Sequence, residues 1–226
     1  MTQPSPGTSI DIVSDAICPW CYIGKRQLER ALAGLGAEGL SFSVRWNPFQ
    51  LNPDMPSDGV ARAAYRAAKF GSAERSAALD ARVSEAAAGV GLAFALDRQA
   101  RTPNTIAAHR LIRWAGLQGG QAVQDAAMEA VFHAYFIAGR DTGDADVLAD
   151  CAAAAGLDRA AAATFLASDA EADAVRAADA EARASGVSGV PSFFLDGYFL
   201  FSGAVPAEQM EAAFRRARGI LLQRAA

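Results

Sequence analysis

Apolar and polar positions along the chain change their period several times. Ile10-Asp11-Ile12-Val13 is a short apolar run suited to a buried strand, and a helical pattern follows to about Gly34 or Gly36. Leu40-Ser41-Phe42-Ser43-Val44-Arg45-Trp46 alternates as a half-buried strand does, and Asn47-Pro48 and Asn52-Pro53 close that unit. This is β-α-β, which implies parallel neighbouring strands. From about 57 to 185 the pattern is almost wholly helical, with helices expected near 57–69, 73–88, 103–115, 120–137, 144–155, 158–167 and 169–184. Thr102-Pro103 opens the third of them, as N-cap and proline at the first helical position. Strand signals return in Pro191 to Leu195 and Tyr198 to Phe201, which flank Asp196-Gly197, the preferred two-residue turn of a hairpin. A last helix, about 206–222, carries Met210, Ala213, Phe214, Ala217 and Leu221 on one core-facing stripe. The order divides the chain into 9–56, 57–185 and 186–226.

Composition narrows the class of partner. The 226 residues are 52% hydrophobic and 20% charged, with a formal net charge of −4. Such a chain has no basic footprint for nucleic acid, and no apolar run long enough to span a bilayer. Met1 to Ser9 shows neither a basic nor an apolar signal region, so the cytoplasm is the expected compartment. Residues 1–8 read as a disordered leader.

The chemistry concentrates in Cys18-Pro19-Trp20-Cys21, between the first strand and the first helix. Two cysteines three apart at a helix start share one face of its first turn. The helix dipole and the unpaired N–H groups there favour thiolate, and thiols in such motifs reach pKa values of roughly 3.5–7.5. Pro19 suits the first turn, where its missing N–H has no partner to lose. In a reducing compartment a close dithiol points to catalysis or redox sensing rather than a structural bond. The rival is half of a zinc site, which needs two further close ligands. Cys151, His109 and His133 are all that remain, and no two are closely spaced, so no metal is expected. Cys151 reads as a small core residue, and His133 as a solvated one.

Three other polar residues are candidates for the site. Asn104 falls inside the apolar stripe of the helix expected from 103, and is either a buried amide tying helix to loop or a group facing the site. His109, on the flank of that stripe, is more simply a satisfied structural histidine. Asp15, three residues before Cys18, is either a proton acceptor for the thiols or a cap for the following turn.

Pro191 at a strand start is unremarkable taken alone, and local sequence makes its bond trans. The order of parts adds more. A dithiol on the first helix, a β-α-β half, and Val-Pro opening a hairpin followed by a helix together resemble the thioredoxin fold. The helical block between the halves resembles the DsbA family. Ser14 to Gly24, Asn104 to Arg110, Gly186 to Phe193 and Phe201 to Ala204 are similar to the FrnE-like, cytoplasmic branch of DsbA-family oxidoreductases, itself related to 2-hydroxychromene-2-carboxylate isomerases. The resemblance implies an α/β thioredoxin fold interrupted by a large all-helical insertion. It implies Cys18 and Cys21 as catalytic residues, with Pro19 and Trp20 tuning them. It also implies a cis Val190-Pro191 bond facing the dithiol, with the Val190 backbone binding extended substrate.

Three activities follow as expectations. One is a thiol–disulfide oxidoreductase or isomerase on protein or small thiol substrates, cycling a Cys18–Cys21 disulfide with no tightly bound cofactor and with glutathione as a candidate co-substrate. Another is a glutathione-dependent small-molecule isomerase, which does not need two cysteines. The third is a redox-regulated chaperone or binding protein. The sequence leaves substrate, redox potential and oligomeric state open.

Overall fold

The computed structural model describes residues 8–225. Four strands form the main sheet: β1 (Ser9–Ser14), β2 (Ser43–Pro48), β5 (Ser192–Leu195) and β6 (Tyr198–Ser202), in the order β2-β1-β5-β6. β1 and β2 are parallel, and the other two pairings are antiparallel. Between β1 and β2 runs helix α1 (Pro19–Ala37), and after β6 comes α8 (Ala207–Ala225). The rest lies between β2 and β5: a two-residue ladder of β3 (Val60–Ala61) with β4 (Arg101–Thr102), and helices α2 (Arg62–Phe70), α3 (Ala73–Gly89), α4 (Ile106–Phe132), α5 (Ala145–Ala154), α6 (Arg159–Leu166) and α7 (Ala172–Ala184). This is an α/β thioredoxin-like fold with a helical insertion. Of the expected leader, residues 1–7 lie outside the described residues, while the Thr8 carbonyl accepts the Ser43 N–H at 2.8 Å.

Three boundaries differ from the sequence pattern, each for a local reason. β2 starts at Ser43 rather than Leu40, because the Leu40 N–H closes the end of α1 on the Leu35 carbonyl. It then runs through Asn47 and Pro48, and β2 is an edge strand, where a proline is tolerated. α2 starts at Arg62 rather than near 57, since Val60 and Ala61 pair with Arg101 and Thr102. Gly59 makes that approach possible: at φ +64° it lies where a Cβ would stand 2.5 Å from the Thr102 carbonyl oxygen. For the same reason Thr102 is a strand residue and not the N-cap of the next helix, which begins at Ile106. The expected break between 115 and 120 is a single non-helical residue, Gly120 (φ 75°, ψ −169°), within α4. Beyond α4 a π-turn spans His133–Ile137, with His133 exposed as expected.

α4 docks the insertion onto the sheet. The Gln124 side-chain amide bonds both the N–H and the C=O of Trp46, so it satisfies the edge strand as another strand would. Around this contact an aromatic cluster fills the core. Phe132 stacks on Tyr22 at 4.9 Å and meets the edge of Trp46 at 6.3 Å, and Phe94 stacks on Phe136 at 4.9 Å. On the other side of α1, Met210 and Phe214 of α8 are fully buried, as their stripe requires.

A charge network built on the buried Lys25, with half-exposed partners, joins α1 to α4. Lys25, 3% exposed, meets Glu29, Asp125 and Glu129, while Arg26 bonds Glu129 and Glu29. Burial alone raises the Glu129 pKa. Hydrogen bonds from Arg26 and Tyr22, and the charges of Lys25 and Arg26, outweigh it and hold the carboxyl below its ordinary 4.5. A carboxyl depressed on folding stabilises the native state above its unfolded pKa, and that contribution is lost as pH falls through the folded value. The melting temperature is therefore expected to fall as pH drops below about 4.5. Thermal melts of Glu129→Gln across that range are expected to show a shallower acid limb than wild type; parallel limbs would contradict the assignment.

Candidate active site

β1 ends at Ser14, and the turn that follows is closed by the Cys18 N–H on the Asp15 carbonyl at 3.0 Å. Cys18 is the N-cap of α1 in extended conformation (φ −88°, ψ 111°), with Pro19 at the first helical position. Its carbonyl accepts the Cys21 N–H at 3.0 Å. The antiparallel register Val13↔Ser192 brings the chain just before β5 alongside this turn. There the Val190-Pro191 bond is cis, and the Val190 carbonyl lies 3.6 Å from the Cys18 sulfur. The loop is fixed by the Ser192 hydroxyl on the Gly189 carbonyl at 2.8 Å and the Gly203 N–H on the Pro191 carbonyl at 2.8 Å. Gly24 allows α1 to pack this closely, since a Cβ there would stand 3.0 Å from the Pro191 ring.

Both cysteines are thiols, and they differ in surroundings. Cys21 is fully buried. Burial drives its pKa well above the ordinary 9.0, helped by the hydrogen bond and charge of Cys18 and opposed by the Ser14 hydroxyl and the Asp15 N–H. Cys21 therefore keeps its proton at neutral pH. Cys18 is the outer sulfur, at the edge of a cavity of about 370 Å³.

That cavity lies between the dithiol turn, the Val190 loop and the insertion. Ile17, Trp20, Val83, Leu96 and Phe136 give it apolar walls. Arg62, Arg66 and Lys69, spaced four and three apart on α2, line it as well. The arginines share one carboxylate, Asp80, at 2.8 and 2.6 Å. The cavity thus carries more positive than negative charge beside the outer sulfur.

The other candidates have structural partners. Asp15 is fully buried and does not cap the turn with its side chain. It accepts the Leu51 N–H at 2.7 Å and meets His109 Nε2 at 3.2 Å, and His109 Nε2 also lies 3.1 Å from the Phe49 carbonyl. Asn104 precedes α4 instead of lying on its apolar stripe. It donates to the Met55 carbonyl and accepts the Ile106 N–H, tying helix to loop. Arg110 completes that motif with hydrogen bonds to the carbonyls of Phe165 and Ala170 near the end of α6, where a cation complements the helix dipole. Cys151 is buried and bonds the Ala130 carbonyl, and burial pushes its pKa up to about 11. Ser14, Arg62 and Arg66 were not apparent as site residues in the sequence. The i, i+4, i+7 spacing of the three cations on α2 was the signal available for two of them.

The DSBA-like thioredoxin domain model matches residues 9–215. The chain belongs to this family. A probable DsbA oxidoreductase from Streptomyces coelicolor is 34% identical to it over 93% of this chain and 90% of that one, with a TM-score of 0.81. Two more distant structures share the fold. A 2-hydroxychromene-2-carboxylate isomerase is 20% identical over 96% of this chain and 98% of that one (TM-score 0.68). The cytosolic disulfide reductase DsbM from Pseudomonas aeruginosa, solved with GSH, is 19% identical over the same shares (TM-score 0.60). An uncharacterized Bacillus subtilis protein matches at 41% identity over 44 residues, so the chain spans about a fifth of that curated relative. Among the described residues no helix is long and apolar enough to cross a membrane.

Proposed function

We propose that the protein is a thiol–disulfide oxidoreductase working through Cys18 and Cys21. The observation that carries this is the placement of the Cys18 sulfur at the start of α1, 3.6 Å from the Val190 carbonyl, with a protonated Cys21 behind it. Cys18, as thiolate, attacks a substrate disulfide; a Cys18–substrate disulfide forms and one substrate sulfur leaves as thiolate. Cys21 then loses its proton and attacks the Cys18 sulfur. The Cys18–Cys21 bond forms, the bond to substrate breaks, and the second substrate thiol departs. The substrate is reduced by two electrons and the enzyme dithiol is oxidised. Run backward, the same steps oxidise a substrate dithiol, and slow resolution leaves time for isomerisation. In a reducing cytoplasm, the compartment we assign, reduction and isomerisation prevail. Val190 offers main-chain groups to an extended substrate strand. Pro19 and Trp20, both half-buried, shape the approach to Cys18.

A small-molecule isomerase using glutathione is the second reading. The cavity with its surplus positive charge favours it, since glutathione carries carboxylates and would place its own thiol near Cys18. The buried second cysteine has no task in that chemistry, which is why the dithiol reading leads.

Trapping separates the two. Incubated with oxidised glutathione, Cys21→Ser is expected to accumulate a mixed disulfide on Cys18, detected by peptide mass, while wild type proceeds to the Cys18–Cys21 disulfide. Noncovalent binding of reduced glutathione with no adduct in either protein would favour the isomerase.

A further inference from the structure

The attacking cysteine of the proposed reaction is hidden. Cys18 is 3% exposed and lines the cavity of about 370 Å³. A space of that size takes a small molecule. A disulfide within a protein brings main chain on both sides of its sulfurs, and attack along the S–S axis needs room for both. The extended strand that Val190 is set to receive needs the same room, since Val190 lines this cavity too. Part of the wall has to move before a protein disulfide reaches Cys18.

α2 is the part suited to moving. Arg62, Tyr65, Arg66, Lys69 and Phe70 all line the cavity, yet no residue of this helix is buried. The other walls differ: Val83 and Ala87 anchor α3 in the core, as Phe136 anchors the turn after α4. α2 is held by polar contacts that water can replace. Arg62 and Arg66 share Asp80 of α3, Arg66 Nε donates to the Ser76 hydroxyl at 2.7 Å, and Arg62 Nε donates to Gln99 at 3.0 Å. On the other flank the Asn52 side-chain oxygen accepts the Tyr65 hydroxyl at 2.8 Å and the Lys69 ammonium at 3.0 Å. Asn52 itself lies in the loop after β2, outside the lining of the dithiol cavity. Gly71 (φ 88°) ends the helix in left-handed conformation, and a Cβ there would come no closer than 3.8 Å to the Arg75 guanidinium. The joint between α2 and α3 is therefore uncrowded. A segment with few buried apolar contacts opens at a lower free energy than the core around it.

We infer that α2 is a gate over Cys18, latched by Asn52, which admits small disulfides when shut and protein disulfides only when open. This rests on the oxidoreductase reading above, and it adds a residue that sets the choice of substrate by size.

Two reagents with one leaving group test it. Dithiobis(nitrobenzoate) is the small disulfide. The large one is a folded carrier protein whose single surface cysteine is capped with the same nitrothiobenzoate. With either, the Cys18 thiolate of reduced enzyme forms a disulfide with the attacked sulfur and expels the coloured nitrothiobenzoate anion. In wild type the carrier is expected to react at least about tenfold more slowly, because its rate is reduced by the fraction of open molecules. Asn52→Ala removes both latch bonds and should speed the carrier reaction by about three- to tenfold, with the small reagent within about twofold of wild type. Asn52→Asp keeps the acceptor and should return the carrier rate to the wild-type value or below. Hydrogen exchange is the second readout: α2 amides should exchange faster in Asn52→Ala, with those of α1 and α4 unchanged. Equal rates for the two reagents in wild type would overturn the inference, as would a carrier rate and α2 exchange unmoved by Asn52→Ala. So would equal acceleration in Asn52→Ala and Asn52→Asp, which marks a loosened loop without a latch. An enzyme that releases no colour from either reagent would remove the oxidoreductase reading itself, and the inference with it.

Discussion

Cys18→Ser is expected to lower the rate of disulfide reduction by at least about a thousandfold, because a serine hydroxyl at neutral pH is not a thiolate and the intermediate cannot form. The assay is reduction of a coloured small disulfide with dithiothreitol as recycling reductant. Cys21→Ser should differ in kind: its first release of thiol survives and its turnover stalls at the mixed disulfide. Cys151→Ser is the control. Its sulfur is buried against the Ala130 carbonyl in the insertion and, with its pKa up at about 11, stays a thiol. Turnover in that variant within about twofold of wild type is expected, a change typical of positions outside the reacting groups. Activity retained in Cys18→Ser would place the nucleophile elsewhere.

Phe132→Ala should give the largest loss of stability. The ring is fully buried between Tyr22 on α1, Trp46 on β2 and Phe136, so it joins three parts of the chain that are remote in sequence. Truncating a buried phenylalanine costs about 3–5 kcal/mol, from transfer free energy and the cavity left behind. That is a large part of the roughly 5–15 kcal/mol that holds a domain folded. For a chain of this size the melting temperature should fall by about 10 °C. Tyr22 follows Cys21 directly, so the loosened cluster lies beneath the dithiol turn. Denaturant unfolding with an unchanged slope would identify the loss as stability, and a melting temperature within about 2 °C of wild type would show that the cluster repacks.

The parts of the fold that local pattern decides were legible in the chain. β1 and α1 follow from one apolar run and one helical run on either side of the cysteines. The hairpin follows from Asp196-Gly197, whose φ values of 47° and 81° are those the tight turn demands. What was not legible depends on residues far apart in sequence. The β3–β4 ladder pairs residues about forty positions apart and moves two helix starts. Pro191 taken locally reads as trans. Its cis bond was implied only by the resemblance to the DsbA family, and the structure has it. The site divides in the same way. Cys18 and Cys21 declare themselves by spacing, whereas the cavity is assembled from α1, α2, α3 and the Val190 loop. Asp15 and His109 meet across 94 residues, and no periodicity announces that contact.

The central claim is that Cys18 and Cys21 form one reversible two-electron couple. Equilibration in graded mixtures of reduced and oxidised glutathione, followed by acid quenching, alkylation and mass measurement, tests it most directly. The account predicts a single transition in which Cys18 and Cys21 become protected together while Cys151 is alkylated throughout after unfolding. Independent modification of the two cysteines, or protection that never appears across the whole range, would contradict it.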